Sequence, residues 1–191
     1  LRAIAGDPAD LQIMYGVDGT RRLAETELPW LRGYQGSAPV RIGNAASGQL
    51  QLDVWGEVLD GLGLARDSGL TTSEDAWDLQ CALLEHLEGL WRSPDNGIWE
   101  IRGPQRHFTH SKVMAWVAAD RMVKAVQRHG LAGPVRRWRA LREQIHADVL
   151  ANAIDPSGGN FVQSYGSTQL DAALLMIGRV GFLPPDDARV L

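Results

Sequence analysis

Helical periodicity of the apolar residues is the feature that most constrains this chain. Between polar, glycine-rich loops, apolar side chains recur at intervals of three and four residues, as in amphipathic helices. The pattern predicts helices over residues 44–65, 73–91, 111–129 and 133–151, and another from about Ser167 onward. A short strand is suggested only at Leu11–Tyr15. The chain is therefore expected to be all-α.

The predicted helices differ in how much of their surface is apolar. Residues 111–129 are apolar on nearly every side, as expected of a buried helix, whereas residues 133–151 have one apolar stripe. A polar loop followed by two helices recurs roughly every 55 to 65 residues. This repeat suggests an α/α toroid, in which the loops entering the inner helices gather at one end. A helical solenoid with polar turns is the other architecture that the pattern allows.

Composition excludes several kinds of partner. The chain has 191 residues, 45% of them hydrophobic, which is enough for a sizeable core. The net charge of −4 and the helical spacing of its one basic cluster, residues 136–139, predict no nucleic-acid partner. No apolar run approaches the roughly 20 residues of a membrane span, so no membrane partner is expected. A cytoplasmic location is favoured, although a chain that begins with Leu1 carries little information about targeting.

The segment Asn96–Gly103 carries the most chemistry. Glu100 directly follows Trp99 on a loop bounded by glycines. A carboxylic acid beside an indole can protonate a glycosidic oxygen while the aromatic face holds a sugar ring. Ile98 and Trp99 are expected to reduce the hydration of the carboxylate and so to favour its protonated form. A surface ion pair between Glu100 and Arg102 is the simpler interpretation of this segment taken alone.

Two other loops contain side chains suited to sugar hydroxyls and ring faces, namely amides, arginine and aromatics. These residues are Tyr34, Arg41 and Asn44 in the first loop and Asn160, Gln163 and Tyr165 in the last. In an α/α toroid these loops would contribute to one common site with the Glu100 loop.

Three segments resemble glycoside hydrolase family 15, which comprises glucoamylases, glucodextranases and bacterial trehalases. They are Pro39–Ala46 running into Gln49–Asp53, then Asn96–Gly103, then Gly158–Gly166 leading to Leu170–Ala172, in the family's order. The resemblance implies part of an (α/α)6 toroid of the six-hairpin glycosidase type and inverting hydrolysis of α-glucosidic bonds. It also implies a catalytic domain about twice this length. Residues 1–191 are thus expected to form a single partial domain, truncated at both ends, whose partner is the rest of that domain.

Roles for individual residues follow from the same resemblance. It implies that Glu100 is the general acid and that Trp99 is the platform for the sugar ring. Substrate contacts are expected from Arg41, Asn44, Arg102 and His107. The general base, a Glu in the family, would lie beyond Leu191. Neither a cofactor nor a metal is expected.

One departure from the family pattern bears on the substrate. Fungal glucoamylases carry a second carboxylate directly after the general acid, where this chain has Ile101. The difference favours the bacterial branch, which includes trehalases, and a small carbohydrate such as trehalose or a short α-glucan.

Other carboxylates have more than one interpretation. Asp53 and Glu57 lie one helical turn apart and could bind a cation or share a proton, or simply connect neighbouring helices. Asp171 is a late carboxylate near the expected mouth, where it could orient Arg or Tyr side chains. Thr109 or Ser111 is expected to cap the helix that follows.

Two alternative functions remain open. The first is a noncatalytic carbohydrate-binding or scaffolding α/α domain, in which the acid is present without a base. The second is a helical-repeat interaction module, which would need an exposed apolar groove. If the ring is incomplete, apolar residues of the inner helices such as Trp116 and Met122 are expected to be exposed.

Overall fold

The computed structural model describes residues 7–189. The chain divides into two compact units, with the boundary between Leu50 and Gln51. No helix within the described residues is long and apolar enough to cross a membrane.

The N-terminal unit has little regular structure. Strand β1, Thr26–Glu27, pairs antiparallel with strand β2, Arg41–Ile42, so that Thr26 lies opposite Ile42. Short 3₁₀ turns occupy Pro8–Asp10, Tyr34–Gly36 and Ala45–Gly48. The strand predicted at Leu11–Tyr15 is wrong, because this segment turns on itself and the Gln12 N–H donates to the Tyr15 hydroxyl at 2.9 Å.

The second unit is built from helices. They are α1 (Asp53–Asp67), α2 (Glu74–Leu90), α3 (Thr109–His129), α4 (Val135–Asn152) and the short α5 (Met176–Arg179), which follows a 3₁₀ turn at Ala172–Leu175. Helix α3 packs mainly against α1 and α4 and less extensively against α2. The all-α prediction is confirmed, since the described residues contain only one two-residue strand pair.

Helix boundaries differ from the predicted ones at two places. The first predicted helix began at Asn44, but the Asn44 side chain accepts the Ala46 N–H and caps a short 3₁₀ turn instead, so α1 begins only at Asp53. The helix predicted from Ser167 is reduced to the turn at Ala172–Leu175 and one turn of α-helix. That helix ends because Gly181 adopts a left-handed φ of 76°.

Helix α3 is the centre of the core. Its residues from Thr109 to Asp120 are all buried, as its apolar sequence predicted. Gly56 of α1 permits the close approach of α1, because a Cβ atom there would lie 2.3 Å from the Met114 carbonyl oxygen. The helices therefore pack backbone to backbone along part of their contact.

The expected exposure of the α3 flanks is wrong. Trp116 is 7% exposed and Met122 only 1% exposed. Phe182, which follows α5, packs edge-on against the Trp116 ring with 5.2 Å between ring centroids. The segment after α5 therefore helps to cover the flank that an isolated α3 would present to water.

Candidate functional site

The loop that carries Glu100 is closed at its base. Asp95 and Arg106 exchange two backbone hydrogen bonds of 2.9 Å, and the Gln105 side chain donates to Asn96 Oδ1 at 3.1 Å just above them. These bonds define a loop of residues 96–105, hereafter the acid loop. Residues 106–108 connect the end of the acid loop to α3, which is the most buried helix of the unit.

Glu100 lies at the exposed side of the acid loop. Its backbone has a φ of 51°, a left-handed conformation that side chains other than glycine rarely adopt, and its N–H donates to Gly97 O at 3.3 Å. Strained conformations of this kind are concentrated at functional sites. The expected shielding of the carboxylate is wrong, because Glu100 is exposed and its neighbours Ile98 and Trp99 are 37% and 56% exposed. Ile98 and Trp99 are themselves in contact with solvent and do not bury the Glu100 side chain.

Gly97 fixes the floor of the acid loop. It has a φ of 68°, and a Cβ atom there would lie 2.8 Å from the buried Phe108 ring. Only glycine fits this position without displacing the aromatic ring. The beginning of the loop therefore lies tightly against Phe108, one residue before α3.

A second loop, residues 155–171, is joined to the acid loop through the start of α3. The Thr109 N–H donates to Gln163 O at 2.9 Å, and the Thr109 hydroxyl donates to Val162 O at 2.5 Å. The predicted capping of α3 by Thr109 or Ser111 is thus wrong, because Phe108 is the N-cap of the helix and the Thr109 hydroxyl bonds to the second loop instead. The structure brings together the second and third polar loops that the sequence indicated.

Trp99 and Asp171 make the most specific side-chain contact between these loops. The indole Nε1–H donates to both carboxylate oxygens of Asp171, at 2.8 and 2.9 Å. Gln163 Nε2 and the Ala173 N–H also donate to this carboxylate, each at 2.8 Å. Burial by itself would raise the pKa of Asp171, but the hydrogen bonds from Ala173, Gln163 and Trp99 outweigh it and lower the pKa. Asp171 is therefore held as an anion.

His107 is packed rather than freely presented. Its ring stacks on Tyr165, with 5.7 Å between centroids, and the Tyr165 hydroxyl donates to Asp148 Oδ2 at 2.8 Å. Burial lowers the pKa of His107, and the positive charge of Lys112 acts in the same direction. A neutral, half-buried imidazole at the edge of the site can still contact a ligand.

Two buried charges lie beneath the base of the acid loop. Asp95 Oδ2 accepts the Leu52 N–H at 3.0 Å, and Lys112 Nζ donates to the carbonyl oxygens of Trp91 and Ser93, each at 2.5 Å. Burial raises the pKa of Asp95 and lowers that of Lys112 to about 8, although the nearby Asp95 favours the charged lysine. The chain entering the acid loop is thereby tied to both α1 and α3.

Asp53 and Glu57 are not joined by a third metal-binding side chain within residues 7–189. No group of three or more His, Cys, Asp or Glu side chains that could hold a metal ion occurs among these residues. Asp53 is buried, and burial raises its pKa to about 7, with the charges of Asp95 and Glu57 acting in the same direction. Burial also raises the pKa of Glu57.

The other predicted substrate contacts are distributed between the two units. Arg41 pairs with Glu25 at 3.1 Å and Glu27 at 2.9 Å, and Asn44 uses its side-chain oxygen as a cap. Both lie in the N-terminal unit. Arg102 lies exposed on the acid loop, in the same unit as Trp99, Glu100 and His107.

Sequence reasoning did not identify the supports of the acid loop. The sequence indicates Asp171 only as a carboxylate near the expected mouth, and it gives Asp95 and Lys112 no part in the site. One signal was available for Lys112, because a lysine in a helix that is apolar on nearly every side must satisfy its charge internally. The contacts of Asp171 and Asp95 join residues far apart in the chain, and no local pattern indicates them.

Comparison with solved structures identifies the architecture. A glycosidase variant, described as E335A in complex with glucose, superposes with a TM-score of 0.67 at 20% sequence identity, over 81% of this chain and 43% of that one. A wild-type glycosidase gives a TM-score of 0.66, also at 20% identity, over 81% of this chain and 43% of that one. At this level of identity the likeness concerns the fold alone.

Sequence relatives are more similar. A trehalase of Mycobacterium tuberculosis is 48% identical over 180 residues, which are 94% of this chain and 26% of that protein. A trehalase of Thermoplasma acidophilum is 35% identical over 181 residues, which are 95% of this chain and 31% of that protein. The chain thus spans less than a third of the length of these relatives.

Helix α3 is buried and polar loops meet at its start. Together with the superposition on a glycosidase, this arrangement defines a segment of an α/α toroid. The family model for glycosyl hydrolases family 15 matches residues 1–191 in full. The chain belongs to that family.

Proposed function

We propose that the protein containing this chain hydrolyses an α-glucosidic bond with inversion and that Glu100 is its general acid. Glu100 would donate a proton to the glycosidic oxygen as the bond from that oxygen to C1 breaks. A water molecule would attack C1 from the opposite face and lose its proton to a second carboxylate, which we place beyond Leu191. In this proposal residues 1–191 form part of one catalytic domain.

The observation that carries the proposal is the presentation of Glu100. It lies exposed on the acid loop in a left-handed backbone conformation, directly after a tryptophan whose indole N–H is bound by Asp171. With its N–H occupied and more than half of its surface accessible, Trp99 can offer a ring face to a sugar. The proposal also assigns hydroxyl contacts to Arg41, Asn44, Arg102 and His107.

Trehalose is the proposed substrate. The relatives at 48% and 35% identity are trehalases, and both are matched over more than nine-tenths of this chain. Ile101 at the position after Glu100 agrees with this branch of the family rather than with fungal glucoamylases. Maltose, an α-linked glucose disaccharide with a different linkage, is the appropriate comparison substrate.

The decisive experiment substitutes Glu100 in the full-length gene product. Glu100→Gln is expected to lower kcat on trehalose by about 10² to 10⁴, with KM nearly unchanged, because only proton transfer is removed. Glu143→Gln, an exposed glutamate on α4, is the matched control and is expected to have wild-type kinetics. Wild-type turnover by Glu100→Gln would remove Glu100 from the mechanism. Sugar binding by the wild-type protein without release of glucose would instead support a noncatalytic carbohydrate-binding domain.

A further inference from the structure

The contact between Trp99 and Asp171 spans 72 residues of sequence and joins the tip of the acid loop to the start of a 3₁₀ turn. Both carboxylate oxygens accept the indole N–H, so the Nε1 end of the ring is held against the carboxylate of Asp171. An exposed tryptophan needs no such partner for its own stability, since water can satisfy the N–H group. The stability of the fold alone therefore does not explain the hydrogen bonds between Trp99 and Asp171.

Asp171 is itself held rigidly. Gln163 Nε2 donates to Oδ2 and the Ala173 N–H donates to Oδ1, each at 2.8 Å. The backbone N–H of Gln163 donates to Gln169 O at 2.7 Å, and its carbonyl oxygen accepts the Thr109 N–H at 2.9 Å. The carboxylate is thus connected through Gln163 to the first residue of α3, which also supports the end of the acid loop.

The space next to this contact is small, and a buried imidazole forms part of its lining. A cavity of about 10 Å³ is lined by residues that include Trp99, His110, Gln163 and Asp171. His110 is 4% exposed, and neither of its ring nitrogens has a hydrogen-bond partner within the described residues. Burial lowers the pKa of His110 to about 4, so the ring is neutral at pH 7 and leaves the charge of Asp171 available to the indole. The cavity is about the size of one water molecule, so it cannot hold the indole in an alternative buried position.

We propose that Asp171 is a positioning residue for Glu100 and acts through the indole of Trp99. The proposal rests on the function proposed above. Trp99 and Glu100 share a peptide unit, so their Cα atoms lie about 3.8 Å apart and restraint of the indole limits the rotation of the Glu100 backbone. Because Glu100 occupies a strained conformation with a φ of 51°, it needs such a restraint to keep its carboxyl group directed at the leaving oxygen.

The test compares two substrates in the full-length gene product. Cleavage of trehalose needs a proton on the departing oxygen, whereas α-glucosyl fluoride releases fluoride without one, so a misplaced acid harms only the first reaction. Asp171→Asn removes the negative charge and one of the two oxygens that accept the indole N–H. Asp171→Ser retains a capping oxygen for Ala173 but is too short to reach Trp99. Trp99→Phe keeps the ring face and removes the donor.

All three variants are expected to lose about 10- to 100-fold in kcat on trehalose and less than about threefold on α-glucosyl fluoride. The double variant Trp99→Phe/Asp171→Asn is expected to be no worse than the more impaired single variant, because both changes break one contact. Asp186→Asn, an exposed aspartate, is the control and is expected to leave both activities unchanged. Circular dichroism and thermal unfolding are measured for every variant.

Equal losses on the two substrates, or wild-type activity on trehalose in Asp171→Ser and Trp99→Phe, would overturn the positioning role. Multiplicative effects in the double variant would also overturn it, because the residues would then act separately. If Asp171→Asn does not fold, Trp99→Phe and Asp171→Ser still decide between these outcomes. Failure of the proposed function would be seen differently: Glu100→Gln would then not lose more kcat on trehalose than on α-glucosyl fluoride.

Discussion

The carboxylate of Asp95 accepts the backbone N–H of Leu52 at 3.0 Å, which ties the first residue of the acid-loop closure to the residue before α1. Asp95 is fully buried, and the positive charge of Lys112 favours its ionised form against the opposing effect of burial. The acid loop is thus anchored at its base by Asp95 and at its tip by Asp171.

We expect Asp95→Ala to lower the thermal stability of the full-length protein. The substitution leaves the buried Leu52 N–H without an acceptor and removes the carboxylate near Lys112, which together cost about 2 to 4 kcal/mol. Asp95→Asn retains an acceptor oxygen and should lose less than Asp95→Ala. Differential scanning calorimetry measures both, and equal Tm values for Asp95→Ala and the wild type would contradict the anchoring role.

Gly56→Ala should destabilise the protein, because the new Cβ atom would lie 2.3 Å from the Met114 carbonyl oxygen in α3. Overpacking of this kind costs about 1 to 3 kcal/mol. Gly61→Ala is a matched control in the same helix, since a Cβ atom there meets nothing within 4 Å. It should be neutral or stabilising by up to about 1 kcal/mol, from the higher helix propensity of alanine. Urea unfolding of both variants measures the difference, and equal midpoints would refute the close approach of α1 and α3.

Stability should depend on the ionisation of Asp53. Its pKa is raised from 3.8 to about 7, chiefly by burial, so the folded state holds a proton that the unfolded state loses above pH 4. The resulting contribution is fully present at low pH and is lost as the pH rises from about 4 to 7. The stability lost in this way is on the order of 4 kcal/mol at neutral pH and above.

Asp53→Asn should therefore raise Tm relative to the wild type at pH 8 and change it little at pH 4. Asp78→Asn, an exposed aspartate on α2, is the control and should have the same effect at both values. Thermal unfolding at several pH values checks the prediction. A difference between Asp53→Asn and wild type that does not grow with pH would contradict the raised pKa.

Product stereochemistry checks the inverting mechanism. Inversion requires the two catalytic carboxyl groups to stand about 6.5 to 9.5 Å apart, with a water molecule between the second group and C1. Trehalose would then release one β-glucose, from the attacked sugar, for each α-glucose that departs. Proton NMR in the first minutes of reaction resolves the two anomers before they equilibrate. Initial release of α-glucose alone would indicate retention.

Local patterns in the sequence were sufficient for the helical class and for most helix positions. The apolar side chains of residues 111–129 predicted a buried helix because a surface without polar groups is stable only inside a core, and α3 at Thr109–His129 has that position. The pairing of an acid with a tryptophan likewise indicated the acid loop, because both residues are adjacent in the chain. The role of Glu100 stays a prediction.

Only the tertiary structure decided what holds that loop in place. The indole of Trp99 meets Asp171 because the start of α3 bonds to the backbone of residues 162–165 and carries the two loops to one place. Packing between residues distant in sequence also covers Trp116 with Phe182. Periodicity reports which face of a helix is apolar, but the partner of a side chain depends on residues that are distant in sequence. Their approach follows from the burial of the whole unit rather than from any local preference.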